Sequence, residues 1–182
     1  MEPKTVAFSQ TTLTELMIPA YANFGGKIHG GILLSLMDKV AYACASKHAG
    51  SYVVTVSVEG VDFLQPVNVG ELVSLHASVN YVGKTSMVVG IKVVSEDVKL
   101  GLAKHTNTSY FTMVAKNEQN EPTLVPPLIL QNKEEIRRFI EAIKRKNIKQ
   151  QSKEALNNEK NRLNIEKELH LLQGERMVIA VN

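Results

Sequence analysis

Asp38 and the run Asn23-Phe24-Gly25-Gly26-Lys27-Ile28-His29-Gly30-Gly31 are where this sequence departs from ordinary packing patterns. Four glycines fall within seven positions, directly ahead of a helical segment. Glycine lets the backbone approach a ligand closely, and free N–H groups at a helix start bind anions or polarise a carbonyl. No Gly-Lys-Ser/Thr closes the run, so it is not a P-loop, and no strand–helix–strand unit surrounds it as a dinucleotide fingerprint requires. Glycines alone favour a flexible turn with a helix cap. Asp38 is the only acid in an apolar helix, and burying an ionised carboxylate is costly unless it is paired. Two readings follow: a carboxylate kept for chemistry, or a narrow polar stripe of Ser35, Asp38, Lys39 and Tyr42 facing solvent or a partner chain.

Other reactive side chains offer less. Cys44, the single cysteine, lies on an apolar helix face and reads as a core residue, which leaves no intramolecular disulfide or multi-cysteine metal site. His29, His48, His76, His105 and His170 lack the paired spacing of a helical metal site, so no metal is expected. His29 reads as a loop residue lining the site or bonding the backbone. His76 and His105 read as structural strand residues. Ser35, a turn before Asp38, is placed either to orient it or simply to pack.

The elements that must position these residues come next. Gly30-Gly31 opens a helix with apolar residues around most of its circumference, and His48 and Gly50 mark its end. Such a helix is expected to be buried on nearly all sides, with Lys47 and His48 at the negative end of its dipole. Tyr52 to Val58 is rich in valine and reads as a strand. From Val73 to Tyr81 the alternation is nearly strict, with Val73, Leu75, Ala77, Val79 and Tyr81 on one face. Thr85 to Val94 follows a Gly83-Lys84 turn, with Gly90 at a bulge or close approach, and Leu102 to Ala115 alternates again. Thr12 to Met17 adds a strand before the helix. The pattern predicts an α+β hotdog fold: a long antiparallel sheet wrapped around one apolar helix, with homodimerisation to cover what remains exposed.

At 182 residues the chain exceeds one such domain. Residues 1–130 are read as the main domain and 131–182 as a charged, mainly helical extension, with a break near Pro126-Pro127. Net charge is +3, of which +4 falls between Lys133 and Glu168 and −1 on the remainder, so the main domain carries no broad basic face for nucleic acid. The extension holds Ile136, Phe139, Ile140 and Ile143 at helical spacing, a weaker stripe of Leu156, Leu163, Leu169 and Leu172, and a cationic cluster of Lys144-Arg145-Lys146 and Lys149 read as a solvated face. Met177 to Val181 is a short apolar end suited to docking as a strand. No apolar run reaches the roughly 20 residues of a membrane span and no signal-peptide pattern opens the chain, so a cytoplasmic location is expected.

Asn23-x-x-Gly26-x-Ile28-His29-Gly30-Gly31, with Asp38 nine residues after His29, resembles the acyl-CoA thioesterases of the hotdog superfamily, in particular the bacterial acyl-CoA hydrolases related to brain acyl-CoA hydrolase. Val54-Thr55-Val56, Phe63-x-x-Pro66-Val67, Val69-Gly70-Glu71, Gly83-Lys84-Thr85-Ser86 and Phe111-Thr112-Met113-Val114-Ala115 match in order, covering about residues 12–127. The resemblance implies hydrolysis of acyl-CoA to free acid and CoA with no cofactor, CoA being part of substrate and product. Asp38 is then general base or nucleophile, Asn23 positions water or substrate, and the N–H of Gly30 or Gly31 polarises the carbonyl. His29 lines the substrate site, and Gly83, Lys84, Thr85 and Ser86 lie near CoA, with Lys84 on a phosphate. The site is then shared across a homodimer, alone or within a homohexamer, with Asn23 and Asp38 from different chains. The alternatives are a non-catalytic acyl-CoA-binding hotdog protein and a hotdog hydratase or dehydratase using His29 with an acid. The latter families generally lack this loop joined to an aspartate at this spacing.

Overall fold

The computed structural model of the chain describes residues 1–180. Its elements are β1 (Lys4–Thr5), α1 (Val6–Ser9), β2 (Thr11–Leu16), α2 (Gly30–Ala49), β3 (Tyr52–Val58), β4 (Leu72–Val82), β5 (Ser86–Asp97), β6 (Leu102–Lys116), β7 (Leu128–Ile129), α3 (Lys133–Arg162) and α4 (Ile165–Glu168). β4, β5 and β6 form the expected meander, and β2 and β3 add to its two edges to give the order β2-β4-β5-β6-β3, antiparallel throughout. α2 lies in the concave face of this sheet. Leu33, Met37, Val40, Ala41 and Cys44 from the helix share one core with Leu75, Val79, Met87, Val89, Ile91, Phe111 and Met113 from the strands. This is the hotdog arrangement that the sequence pattern predicts.

Two details of the pattern resolve differently. In β4 the alternation holds from Val73 to Ala77, but Ser78 and Asn80 on the other face are buried too. The Asn80 side chain folds across Gly90, where an added Cβ would lie 2.2 Å from Asn80 Nδ2. Gly90 is therefore a close-approach point rather than a bulge. Nor is α2 buried on nearly all sides within one chain: Ser35, Asp38 and Lys39 are exposed, as are Leu34 (37%) and Tyr42 (43%). One sheet can cover only part of a helix, and nothing among the described residues closes over the rest.

The C-terminus of α2 also corrects an expectation. Gly50 takes the left-handed conformation (φ 70°) and its N–H donates to Ser46 O at 2.8 Å, a common helix ending. Lys47 and His48 fall in the last turn as expected, but the cation bonded to the end carbonyls is Lys4, whose Nζ donates to those of His48 (2.7 Å) and Lys47 (3.3 Å). His48 is fully buried instead, with Nε2 2.9 Å from the carbonyl of Pro126. Pro126-Pro127 is accordingly part of the main body: Lys4 N–H donates to Pro127 O, and β1 runs parallel to β7.

The chain forms two compact units, the first from Met1 to Ala142 and the second from Ile143 onward. In the first, Phe139 packs on Tyr81 with ring centroids 5.0 Å apart, and Ala142 is buried. The second holds the rest of α3, then α4 and a 3₁₀ turn at Leu169–Leu172, with Leu156 and Leu163 exposed. Residues 177–180 form no strand, and Val181 lies outside the described residues. No helix among the described residues is long and apolar enough to cross a membrane.

Burial pushes the His48 imidazole below its ordinary 6.5, with the Pro126 carbonyl acting against this and the Lys4 ammonium adding to it. The unfolded chain thus binds a proton more readily than the folded one, so His48 lowers stability as pH falls through 6.5 towards the depressed folded value. Thermal melts between pH 7.5 and 5 should show Tm falling with acidification. His48→Gln, whose amide can still donate to Pro126, should show a shallower fall. Parallel curves for the two proteins would contradict this assignment.

Candidate functional site

The glycine-rich loop ends in a built helix cap. His29 is the N-cap of α2, and its Nδ1 accepts the Gly31 N–H at 2.8 Å. That places the imidazole proton on Nε2, facing out from an exposed ring. A Cβ on Gly31 would lie 2.9 Å from the His29 ring, so glycine is required there. The cap also decides between the two N–H groups expected to act on a ligand. Gly31's is engaged by His29, whereas Gly30's has no hydrogen-bond partner among the described residues, as at any helix start. The tip of the Phe63 ring lies against Gly30, with Cζ 3.1 Å and Cε2 3.2 Å from where a Cβ would sit.

Asn23 forms the turn that feeds this helix. Its Oδ1 accepts from the N–H groups of Gly25 (2.9 Å) and Lys27 (3.1 Å), and its own N–H donates to Lys27 O at 2.7 Å. The side-chain carbonyl is thereby committed, and the Nδ2 group is the part left to face a ligand. The loop is tied down by Ile28 N–H to Val67 O (2.9 Å), His29 N–H to Tyr21 O (2.8 Å) and Lys27 Nζ to Asn68 Oδ1 (2.7 Å).

Asp38 lies a little over two turns further along α2, on the exposed stripe. Thr55 of β3 donates to its Oδ1 at 2.6 Å, and the same hydroxyl is 3.3 Å from Met113 Sδ. The β3–β6 register shifts between Thr55 and Ser57, a bulge at the point where β3 presents this hydroxyl to the helix. Eight residues of helix at 1.5 Å each separate Gly30 from Asp38 by roughly 12 Å along the axis. Asn23 and Asp38 share no hydrogen bond within the chain.

The Gly83-Lys84-Thr85-Ser86 turn joins β4 to β5, closed by Gly83 N–H to Ser86 O at 2.7 Å, and Lys84 is exposed at its tip. Ser86 pairs with Val114, which pairs with Val54, so the turn sits by the start of β3 and the end of α2. Phe63, which packs on the helix start, follows the far end of β3. One chain therefore holds the loop, Asp38 and the turn at three separate stations along α2. His76 and His105 bond Thr12 and Thr108 on exposed strand surface, and the described residues contain no grouping of three or more His, Cys, Asp or Glu side chains fit for a metal. The deeply buried carboxylate is Glu71 rather than Asp38. Burial alone would raise its pKa, but bonds from Lys104, Ser95 and Asn68 outweigh this and hold it at about 2.

A sequence profile of the thioesterase superfamily matches residues 25–102. Protein VdlD of Helicobacter pylori is 48% identical over 137 residues, 75% of this chain and 78% of that protein. A hexameric acyl-CoA thioesterase crystallised without ligand superposes with a TM-score of 0.81 at 36% identity, covering 84% of this chain and 97% of that one. An acyl-CoA hydrolase of Staphylococcus aureus, solved in complex with butyryl coenzyme A and coenzyme A, superposes with a TM-score of 0.75 at 30% identity over 85% of this chain and 97% of its own. Structures of that hydrolase also exist with one aspartate, one asparagine or one threonine changed to alanine. The chain belongs to the thioesterase superfamily.

Among its thioesterase-type features, the Thr55 hydroxyl is the one that residue-by-residue reading left without a role. Its signal was present: a hydroxyl amid the valines of Val53-Val54-Thr55-Val56, where another β-branched aliphatic would satisfy the strand. The lone thiol is chemically quiet. Cys44 is fully buried, and burial pushes its pKa up to about 12 despite the opposing influence of Ser9 and Lys47. The folded thioesterase-family chain should therefore give no reaction with an aromatic disulfide reagent at pH 7.5 within minutes, and one equivalent after denaturation. One equivalent from the native protein would contradict the buried placement.

Proposed function

We propose that this protein hydrolyses acyl-CoA to free carboxylic acid and CoA, with Asp38 as general base or nucleophile, at a site shared between two chains. The observation that carries the reading is a coincidence of spacing. The asparagine, aspartate and threonine altered in the S. aureus hydrolase are separated by fifteen and seventeen residues, the same intervals that separate Asn23, Asp38 and Thr55 here. Residues chosen for alteration in an enzyme solved with its CoA ligands thus correspond to the ones this chain places on its loop, its helix stripe and the strand beside it.

The chemistry suits these groups. Sulfur overlaps poorly with the thioester carbonyl and leaves readily as thiolate, so hydrolysis needs a positioned nucleophile, a base and a donor for the developing oxyanion. The Gly30 N–H, backed by the α2 dipole, is the donor; Gly31's is held by His29. The Thr55 hydroxyl fixes the Asp38 carboxylate towards the exposed stripe, and the Asn23 Nδ2 group holds water or substrate. With Gly30 and Asp38 roughly 12 Å apart along one helix, neither can serve a carbonyl held by the other in the same chain. The helix start and Asn23 of one chain therefore work with Asp38 of its partner. Lys84, exposed on its turn, is suited to a CoA phosphate, and Gly83, Thr85 and Ser86 shape the approach. The substrate carries the only coenzyme the reaction needs. Such an enzyme acts on soluble substrate in the cytoplasm, as a homodimer or a homohexamer built from dimers.

Asp38→Asn should lose at least a hundredfold in kcat, in line with removal of a positioned base, while retaining fold and CoA binding; Asn23→Ala should lose as much or less. Free-thiol release over a series from acetyl- to palmitoyl-CoA measures both. Activity of Asp38→Asn near that of the parent would return Asp38 to a solvated stripe, and no turnover on any acyl-CoA would end the reading. Assembly is the second test. The stripe exposes Leu34 and Tyr42, and Tyr52, Val56 and Val58 of edge strand β3 are exposed as well. Light scattering at micromolar concentration should give no monomer mass, and a monomer across dilution would contradict a shared site.

A further inference from the structure

Glu71 is the most heavily bonded carboxylate of the main unit and lies outside the site just described. It is 4% exposed. Oε1 accepts from Lys104 Nζ (2.8 Å) and Asn68 Nδ2 (2.6 Å), and Oε2 from Ser95 Oγ (2.5 Å) and Asn68 N–H (3.2 Å). Its backbone is clamped as well: Glu71 O accepts the Met17 N–H at 2.9 Å, and Gly70 N–H donates to Met17 O at 2.7 Å. A fully apolar side chain would peg this corner at no desolvation cost, so a buried charge here calls for a reason in what it orients.

That reason lies in Asn68. With both of its N–H groups turned to Glu71, its Oδ1 faces the other way and accepts from Lys27 Nζ at 2.7 Å. Lys27 pairs with Asn68 across an antiparallel bridge, and its own N–H and C=O hold Asn23. A carboxylate at Glu71 fixes which way the Asn68 amide points, because four donors converge on it and only one of them, the Ser95 hydroxyl, could accept in return. An amide in its place would turn an NH2 group towards one of those donors. The Asn68 side chain could then rotate and present its own NH2 to the Lys27 ammonium, which repels it.

We infer that Glu71 is a positioning residue for the hydrolysis, acting through Asn68 and Lys27 on the turn that aims Asn23. The inference rests on the reading above that places Asn23 in the site. It is tested by kcat, KM and Tm for Glu71→Gln, Asn68→Ala, Asn23→Ala and the Glu71→Gln/Asn23→Ala double variant, using an acyl-CoA that the parent hydrolyses. Glu71→Gln and Asn68→Ala should each lower kcat about tenfold, the scale of a modest misplacement of a positioning group. The double variant should be no slower than Asn23→Ala alone, although its Tm is lower. A merely structural Glu71 would move Tm and multiply its kcat loss onto that of Asn23→Ala. That result, or full kcat in Glu71→Gln beside an impaired Asn23→Ala, overturns the relay while leaving Asn23 in the site. Full activity of Asn23→Ala removes Asn23 from the site and the relay with it. If Glu71→Gln does not fold, Asn68→Ala and its double with Asn23→Ala carry the same comparison, since Lys104 and Ser95 still satisfy Glu71.

Discussion

A helix laid in the hollow of one sheet can bury only part of its circumference, and the strip left over governs the rest of this molecule. α2 gives Leu33, Met37, Val40, Ala41 and Cys44 to the shared core, and its opposite side is left with Leu34, Ser35, Asp38, Lys39 and Tyr42. A strip of that composition is too apolar for a surface made only for water and too polar for a core. It fits the second chain that we propose, and within one chain the carboxylate in its middle is exposed. The same constraint sets the edge strand beside it. β3 offers its inner face to the core through Val53 and its exposed residues to whatever covers the stripe.

The helix start is organised by a different economy. Four N–H groups must end without helical partners, and the loop spends one of them on His29. What is left, at Gly30, is a donor at the positive end of a twenty-residue helix, walled by Phe63. Capping by an imidazole rather than by aspartate keeps a carboxylate away from that donor. Gly30 and Gly31 are therefore needed for different reasons: one to let Phe63 approach, the other to let the cap close.

Much of this was legible in the chain. Alternation in β4 and β6, the valines of β3 and the apolar run of α2 reported their elements within a residue or two, because β4, β6 and α2 each have a buried face and the β-branched valines of β3 favour extended backbone. What escaped depended on contacts between residues far apart in sequence. Lys4 finds the end of α2 because β1 pairs with β7, and no local signal carries that. His48 looked like a helix-end cation because its position is right, but its burial is set by Pro126, 78 residues away. The partial exposure of α2 was misjudged because hydrophobicity reports that a surface must be covered, not whether the cover comes from the same chain. In the loop, the residue types marked Asn23, His29 and the glycines, whereas the Gly30–Gly31 distinction and the Thr55–Asp38 bond needed coordinates.

Two carboxylates of the main unit, Glu71 and Asp38, show how placement divides labour. Glu71 is surrounded within one chain, by donors only, and is held at about 2. Donors converging on both oxygens favour its charged form, which suits it to orienting neighbours. Asp38 has one donor, Thr55, and otherwise faces outward. The group that orients its neighbours sits in the corner that folding covers, and the base we propose for the hydrolysis sits on the exposed stripe. The sequence separates them accordingly, one acid alone on an apolar helix and the other among Asn68, Ser95 and Lys104.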